Sequence, residues 1–375
     1  MLGALGAVLG ALAAAPVYAQ TLSPRPALTA VKVAQAPEVD GRIEGDAAWS
    51  DAPAGGDFRQ VAPAEGAPMS ERTEVRVVYT DTTLYIGVIC FDRDPSAIVA
   101  GDPRRDGPLD DTDSIRLIVD TYKDGQSGFV FGTNPAGLEF DAQVVNEGQG
   151  GSFVQRQMGG SGGGFNINWD GSWRVATAVT EEGWSAEFAI PFRTLRYPDD
   201  ADQGWGFNVQ RNIRRRNEIG YWAELPRQYD LNRLSMAGQL SGLQIPQQRN
   251  LKIFPYILGT ARNEIGADRT VSKGDVGVDV KYSVTPSLTL DVTVNTDFAQ
   301  VEVDEQQINL DRFTLFFPEK RPFFLENAGL FSVGSPGEAE IFFSRSIGIG
   351  PRGEPIPILG GARLSGRLGG ATIGL

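Results

Sequence analysis

Two neighbouring stretches of alternating residues constrain the fold more than any other feature of the sequence. Residues 73–79 and residues 84–91 place an apolar side chain at every second position, with a short polar turn between them. Side chains on a strand point to opposite faces in turn, so the pattern predicts a hairpin with one face on a core. Residues 114–120 predict a third strand of the same kind. The predicted inward residues are Val75, Val77, Tyr79, Leu84, Ile86, Val88, Cys90, Ile115, Leu117 and Val119.

The composition excludes several kinds of chemistry. The chain has 375 residues and no histidine, which excludes Ser-His-Asp catalysis, histidine–zinc sites and imidazole acid–base catalysis. Cys90 is the only cysteine, so an internal disulfide and a thiolate metal cluster are also excluded. Its position in an apolar strand predicts a packed small side chain rather than a nucleophile. The formal net charge of −13 argues against a nucleic-acid partner, because phosphates repel an acidic surface.

The start of the chain has the pattern of an export signal. Residues 2–15 are an apolar run rich in Ala, Gly and Leu, and Val17 and Ala19 suit a signal-peptidase site. We therefore expect residues 1–19 to be a signal peptide, residues 20–36 to be a lead-in, and the protein to be exported. The alternative is a membrane anchor, but the run is shorter than the roughly 20 apolar residues that a spanning helix needs.

Residues 37–245 predict an all-β domain, because many short alternating stretches are separated by turn residues. The additional predicted strands are residues 129–133, 168–179, 184–190 and 205–211. In residues 184–190, one face carries Trp184, Ala186, Phe188 and Ile190. This pattern favours an immunoglobulin-like or jelly-roll β-sandwich.

Four short motifs follow one another in this domain. They are Val39-Asp40-Gly41 with Trp49, Leu84-Tyr85-Ile86-Gly87-Val88, Asp113-Ser114-Ile115-Arg116-Leu117 and Glu187-Phe188-Ala189-Ile190-Pro191. In this order they resemble carbohydrate-binding module family 9, a β-sandwich module. The resemblance implies an oligosaccharide or polysaccharide as the ligand.

The resemblance also implies a set of site residues. Family members that bind sugar hold it between two Trp rings, helped by a Glu, an Arg and an Asn. In this sequence, Asp110 stands near the position of the first Trp, Arg116 stands in place of the Glu, and Gly132 stands at about the position of the Arg. Asn134 corresponds to the Asn, and Trp222 corresponds to the second Trp. The implied carbohydrate-binding residues are therefore Trp222, Asn134 and Arg116, with the ring of Trp222 expected at the rim. The alternative is that Trp222 is a core aromatic.

Family 9 members also hold calcium in structural sites, and this sequence has clustered carboxylates. Asp92 and Asp94 follow a predicted strand, and Asp110, Asp111 and Asp113 lie in one loop. Hard oxygen ligands close together are what Ca²⁺ requires. These five residues are the candidate Ca²⁺ ligands, and no other cofactor is expected. The alternative is an ordinary acidic surface loop.

Residues 211–216 contain four arginines. On so acidic a protein they predict an ion-pair network or an interdomain contact rather than a binding patch.

Residues 246–375 have a different character. Residues 276–284 and 288–294 alternate strictly between an apolar and a polar face across a short turn. Strands of about 9–11 residues with this pattern are typical of a transmembrane barrel hairpin. We therefore predict the start of an antiparallel transmembrane β-barrel, with further strands in residues 251–262 and 358–375. The alternative is a long hairpin of a soluble sandwich.

The segment Phe316–Glu326, together with residues 297–313, resembles the uncharacterised outer-membrane domain DUF5916, which often follows a family 9-like module in Gram-negative bacteria. The resemblance implies an outer-membrane location, with the sandwich in the periplasm or at the barrel mouth. The charged residues of this segment are either catalytic or part of a buried ion-pair plug. Because a barrel has no open edge in lipid, we expect the sequence to be part of a longer barrel.

Three functions remain open on these grounds. The first is a carbohydrate-binding outer-membrane protein, which would serve polysaccharide catabolism. The second is a glycoside hydrolase, because family 9 modules usually accompany such enzymes; no catalytic carboxylate pair stands out, however. The third is a transport or structural barrel whose sandwich no longer binds sugar, which the missing aromatic near Asp110 supports.

Overall fold

The computed structural model describes residues 24–149, 164–198, 203–246, 251–264, 269–296, 356–368 and 371–375, together with residues 322–325, 331, 334–335, 339–340, 344 and 347–348. The expected signal peptide, residues 1–19, lies outside the described residues. So does most of the segment Phe316–Glu326.

The described part of the chain is almost entirely β-structure, as predicted. Its strands are β1 (Ala27–Thr29), β2 (Val31–Lys32), β3 (Arg59–Ala62), β4 (Thr73–Tyr79), β5 (Thr83–Phe91), β6 (Ser114–Asp120), β7 (Gly128–Thr133), β8 (Phe140–Val144), β9 (Phe165–Asn166), β10 (Arg174–Thr180), β11 (Gly183–Pro191), β12 (Gln203–Ile213), β13 (Glu218–Tyr221), β14 (Gly238–Leu243), β15 (Leu251–Glu264), β16 (Arg269–Thr285), β17 (Leu288–Thr296), β18 (Gly334–Ser335), β19 (Ala339–Glu340), β20 (Ile358–Leu368) and β21 (Ala371–Gly374).

Helices are short in the described ranges. The single-turn 3₁₀ helices are Ala47–Trp49, Pro95–Ala97, Asn146–Gly148, Phe192–Thr194, Arg214–Arg216 and Leu234–Met236, and Pro322–Leu325 is an α-helical turn. None of the helices in the described residues has the length and apolar character needed to cross a membrane.

Two sheets form the sandwich. The first has nine strands in the order β1-β14-β12-β6-β7-β8-β9, with β13 paired to β12 and β3 paired to β13. The second has five strands in the order β10-β11-β5-β4-β2. Neighbouring strands are antiparallel except at β1 with β14 and at β2 with β4. The sandwich prediction is confirmed, and β4 and β6 have the bounds that the alternation indicated.

The main core lies between the two sheets, where the predicted inward residues of β4, β5, β6 and β11 are all buried. The outer faces of the sheets are covered as well. Residues 43–52 pack on the five-stranded sheet, and residues 225–234 pack on the nine-stranded sheet. The sandwich is therefore four layers thick, which explains why Val78 and Ile118 are buried on faces that alternation alone would assign to solvent.

The expected lead-in, residues 20–36, contributes to both sheets. β1 pairs with β14, whereas β2 pairs with β4, and only Ala30 separates them. Leu28 and Ala30 both belong to the main core. The chain thus crosses from one sheet to the other at Ala30. Strands of two and three residues carry too short a pattern for alternation to reveal them.

A buried carboxylate fastens residues 40–49, here called the N-terminal segment, to the sandwich. Glu187 on β11 is 1% exposed and accepts hydrogen bonds from Trp49 Nε1 (2.9 Å), Gly41 N (2.8 Å) and Asp40 N (3.0 Å). In return, Ser185 Oγ donates to Gly41 O at 2.6 Å. The φ angle of Gly41 is +88°, a left-handed conformation that favours glycine. The hydrogen bonds thus join the first motif to the fourth, which contains Glu187. Trp49 of the first motif also packs with Tyr85 of the second. Three of the four sequence motifs therefore contribute to the scaffold.

A further antiparallel sheet, here called the C-terminal sheet, has the order β15-β16-β17-β20-β21. In its register Val280 lies opposite Val292, and Lys281 lies opposite Asp291. Its two faces therefore differ in polarity, as the alternation predicted. The short hairpin of β18 and β19 forms a separate two-stranded sheet.

We predict that Glu187→Ala lowers the free energy of unfolding by about 3 kcal/mol or more, because two buried donors and one partly buried donor lose their acceptor. Urea unfolding followed by tryptophan fluorescence measures the change. Glu181→Ala, a substitution at an exposed site next to the same strand, should alter stability by less than about 0.5 kcal/mol. Equal stability of the two variants would contradict the assigned role of Glu187.

Candidate functional site

The alternation of β13 decides where the ring of Trp222 lies. Tyr221 faces the outer cluster, so the next residue, Trp222, faces the main core. The backbone N–H of Trp222 donates to Val209 O at 2.9 Å, and its ring centroid lies 5.6 Å from that of Phe207. Only 4% of Trp222 is exposed. The expected rim position is therefore wrong, and the alternative of a core aromatic holds.

Close packing against β14 keeps the ring of Trp222 in this place. A Cβ atom added at Gly238 would lie 2.6 Å from Cζ3 of Trp222. Real Cβ contacts are not that short, so the absence of a side chain at Gly238 makes room for the ring. A sugar cannot reach the face of a ring that is enclosed in this way.

Asn134 is also buried, with 0% exposure. Its Nδ2 donates to Asp102 O at 3.1 Å, and its Oδ1 accepts from Ala136 N (3.0 Å) and Leu138 N (3.3 Å). The side chain thus closes the turn after β7, in the way that Asn commonly bonds to nearby backbone groups. These bonds leave little hydrogen-bonding capacity for a ligand.

Arg116 is engaged by a loop that covers its strand. Its Nη2 lies 2.7 Å from Asp110 Oδ1, and its guanidinium lies 5.7 Å from the ring centroid of Phe140. Leu109, from the same loop as Asp110, is 1% exposed and packs on Gly132, the partner of Arg116 on β7. The loop therefore fills the space beside Arg116.

The structure does not bring the three implied residues together. Ile115 and Leu117 face the main core, so Arg116 between them faces the outer side of the nine-stranded sheet. Trp222 lies on the inner side of the same sheet. A single sugar cannot contact both side chains across the sheet.

The five candidate calcium ligands do not converge either. Asp92 makes two 2.6 Å bonds with Arg215, Asp110 pairs with Arg116, and Asp111 pairs with Arg214. Asp113 accepts from Arg214 N and Val99 N, and Asp94 accepts from Ser96 Oγ. Among the described residues, no three acidic, His or Cys side chains are placed to hold one metal ion. Each of the five carboxylates is thus engaged by another group of the protein, and the calcium site stays a prediction.

The arginines of residues 211–216 form an ion-pair network, as the sequence predicted. Arg215 pairs with Asp92 and Arg216 pairs with Glu71 at 2.7 Å. Burial raises the pKa of Asp92, but the hydrogen bonds from Arg215 and from the backbone N–H of Asp94, together with the charges of Arg215 and Arg211, outweigh burial and bring the pKa below its ordinary value. Arg211 is 1% exposed and donates to Arg72 O (2.7 Å) and Phe91 O (2.8 Å). The network ties the ends of β4 and β5 to β12 and is structural.

Cys90 is buried between the sheets and unpaired, which confirms the prediction of a packed side chain. Burial raises the pKa of its thiol to about 12. A thiol with such a pKa carries almost no thiolate near neutral pH and is a poor nucleophile.

Two buried carboxyl groups, those of Asp120 and Asp141, have raised pKa values. Burial raises the pKa of Asp120 to about 6, against the opposing effect of the Gly125 N–H. Burial likewise raises the pKa of Asp141 to about 6, although Gly171 N–H and Arg105 stabilise the ionised form. On β6, Asp120 points to the outer face of the sheet, as Ile118 does. On β8, Phe140 and Ala142 point to the outer face, so Asp141 between them points to the inner face. The two carboxylates therefore project from opposite faces of one sheet and cannot flank one glycosidic bond.

A cavity of about 340 Å³ lies between one end of the sandwich and the C-terminal sheet. The connection after β6 and the end of β8 form its wall on the sandwich side, and β20 and β21 form the opposite wall. Sequence reasoning missed this site, because its residues are separated by more than two hundred positions of chain. The only signal in the sequence is a set of amide side chains near residues 126–146, which is common in loops.

Two parts of the chain match known families. Residues 39–226 match the family described as carbohydrate family 9 binding domain-like, and residues 247–359 match the domain of unknown function DUF5916. No curated protein matches the chain.

Solved structures of a family 9 carbohydrate-binding module from Caldicellulosiruptor kristjanssonii are also similar to the chain. The complex with cellotriose is 12% identical, with 58% of this chain and 93% of that chain covered and a TM-score of 0.38. The complex with glucose is 14% identical, with 58% and 95% covered and a TM-score of 0.38.

We predict that the carboxyl groups of Asp120 and Asp141 titrate with midpoints near pH 6. Between the ordinary pKa near 4 and this raised pKa, the folded protein holds protons that the unfolded chain has released. Stability is therefore greatest, with respect to these groups, below about pH 4 and falls by up to about 3 kcal/mol per group as the pH rises through 6.

Carbon-13 NMR of the two carboxyl groups measures the midpoints directly. In parallel, Asp120→Asn should flatten the dependence of unfolding free energy on pH between 4 and 6. Carboxyl midpoints below pH 4 would contradict the prediction.

Proposed function

The chain belongs to the carbohydrate family 9 binding domain-like family, and from that membership we propose that its sandwich binds carbohydrate. The observation on which this proposal rests is the family match over residues 39–226, which is half of the chain. The proposed ligand is an oligosaccharide or part of a polysaccharide, and such binding would serve polysaccharide catabolism.

A second candidate function has one specific observation in its favour. Trp222 and Asn134, the positions that correspond to the family's sugar-binding residues, are 4% and 0% exposed. A sandwich that no longer binds sugar, attached to a transport or structural barrel, is consistent with that burial. The glycoside hydrolase alternative has no such support, because Asp120 and Asp141 project from opposite faces of their sheet.

We also propose that the protein lies in the outer membrane, with one face of the C-terminal sheet towards lipid. Its apolar face is open: Ile257 is 83% exposed, Val276 65% and Val294 50%. Its polar face is covered, since Thr289 and Asp291 are 0% and 5% exposed. A water-soluble sheet has the opposite distribution, whereas a strand wall that faces lipid exposes apolar residues and turns polar residues inward.

The charged side chains on the polar face of the C-terminal sheet support the same proposal, because they are paired with one another. Asp291 Oδ2 accepts from Arg363 Nη2 at 3.0 Å, and Lys281 Nζ lies 3.9 Å from Asp291 Oδ1. Charges inside a membrane protein are almost always paired and turned away from lipid. The sandwich would then lie in the periplasm or at the barrel mouth.

We predict weak sugar binding by the whole chain, with a millimolar dissociation constant for cellotriose, because all six Trp residues are buried and cannot clamp it. Isothermal titration calorimetry with cellotriose and glucose measures it. Trp222→Phe keeps an aromatic ring in the core and should bind as the wild type does. Absence of binding in the wild type would favour the second candidate function.

We predict that the purified chain floats with phosphatidylethanolamine–phosphatidylglycerol vesicles in a density gradient. Ile257→Lys should reduce the floating fraction, because a lysine facing lipid costs up to about 2–4 kcal/mol. Val179→Lys is the matched control, since Val179 is 55% exposed but lies on the sandwich. A wild-type chain that stays monodisperse without detergent and does not float would contradict the membrane proposal.

A further inference from the structure

We propose that the carbohydrate site of this chain is the cavity between the sandwich and the C-terminal sheet, rather than the position implied by family 9. The inference rests on the proposed carbohydrate binding and gives it a location. The cavity volume of about 340 Å³ lies within the range of small-ligand sites, roughly 300–1,000 Å³. Leu109 and the enclosed Trp222 close the family position, whereas this cavity is open to solvent.

The lining has the chemistry that a sugar requires. Gln126, Gln143 and Asn146 supply side-chain amides, and Thr372 supplies a hydroxyl from the opposite wall. Each amide offers both donors and an acceptor, which matches sugar hydroxyl groups that also donate and accept. Tyr122 adds an aromatic ring to the wall. Sugar sites combine such polar groups with an apolar ring face.

Two of these amides are available for a ligand. Gln126 and Asn146 are exposed, and neither side-chain amide forms a hydrogen bond with any described residue. The core amides differ: Asn208 Oδ1 accepts from Ala223 N at 2.8 Å and its Nδ2 donates to Ala223 O at 3.0 Å. The amides of Gln126 and Asn146 are therefore available to a ligand in the cavity, while the amide of Asn208 is used by the fold.

A fixed ion pair joins the two walls. Arg367 Nη1 donates to Asp124 Oδ2 at 2.9 Å, and the guanidinium of Arg367 lies 4.9 Å from the ring centroid of Tyr122. Asp124 Oδ1 in turn accepts from Gln126 N and Ser127 N, both at 2.8 Å. The carboxylate and the guanidinium are therefore held side by side, where they can accept from and donate to neighbouring hydroxyls of one sugar ring.

The backbone around the cavity has an uncommon conformation. Lys123, Asn146 and Glu147 have φ angles of +52°, +50° and +55°. Such left-handed backbone is uncommon for residues other than glycine and tends to occur at ligand sites. Glu147 is fastened there by Ser235 N, which donates to its Oε1 at 2.8 Å, and by Arg233 Nη1, 2.5 Å from its Oε2. The loop is thus held in place before any ligand arrives.

The test is calorimetric titration of cellotriose and of glucose into the full chain. We expect Gln126→Ala to weaken cellotriose binding several-fold, up to about tenfold, because one hydrogen bond contributes about 1 kcal/mol. Asn146→Gly, which retains the left-handed backbone, should have an effect of the same size. Gln239→Ala is the matched control, because Gln239 is an exposed amide on β14 outside the cavity, and it should bind as the wild type does.

The outcomes separate this inference from the proposed function. If the wild type binds sugar and both cavity variants bind equally well, the site lies elsewhere and only this inference is overturned. An equal loss in Gln239→Ala would also overturn it, because the effect would not be specific to the cavity. If the wild type binds neither sugar, the proposed function and this inference both fall. Melting temperatures of all variants verify that the fold is unchanged.

Discussion

The sandwich depends on one buried carboxylate. Glu187 gathers the N–H groups of Asp40, Gly41 and Trp49, and so brings the N-terminal segment over the outer face of the five-stranded sheet. Without that cover, Val78 and Tyr85 would face water. A charged group is costly to bury alone: burial raises the pKa of the Glu187 carboxyl above its ordinary value, and the three donors offset part of that cost. The motif residues therefore preserve a scaffold, and a scaffold can persist while its binding positions change.

Much of the fold could be predicted from the sequence. The hairpin of β4 and β5, the strand β6 and the inward face of β11 follow from period-two alternation, because each has a wide apolar stripe against one core. The short strands β1 and β2 could not be predicted, since they depend on distant partners. The cover on the outer faces was also missed, because it comes from residues 43–52 and 225–234, which pack only after the chain has folded back.

The candidate site was less predictable than the fold. Trp222 and Asn134 have the residue types that a sugar site needs, but a residue type does not reveal exposure. The phase of β13 turned the ring inward, and the turn after β7 used the amide. The cavity beside Tyr122 depends on Arg367, which lies more than two hundred residues further along the chain. Such proximity is a property of the folded molecule and is absent from any local pattern.

The crossing at Ala30 has a consequence for the order of folding. Ala27 pairs with Gln239, about 210 positions later, so this contact closes a very large loop and is slow to form. A chain that emerges from the ribosome with its N-terminus first cannot complete the nine-stranded sheet until β14 has also emerged. Until then β1 and the edge of β12 lack their partner strand, and such open edges are where chains associate wrongly. A chaperone that holds β1 during synthesis would protect the molecule over that interval.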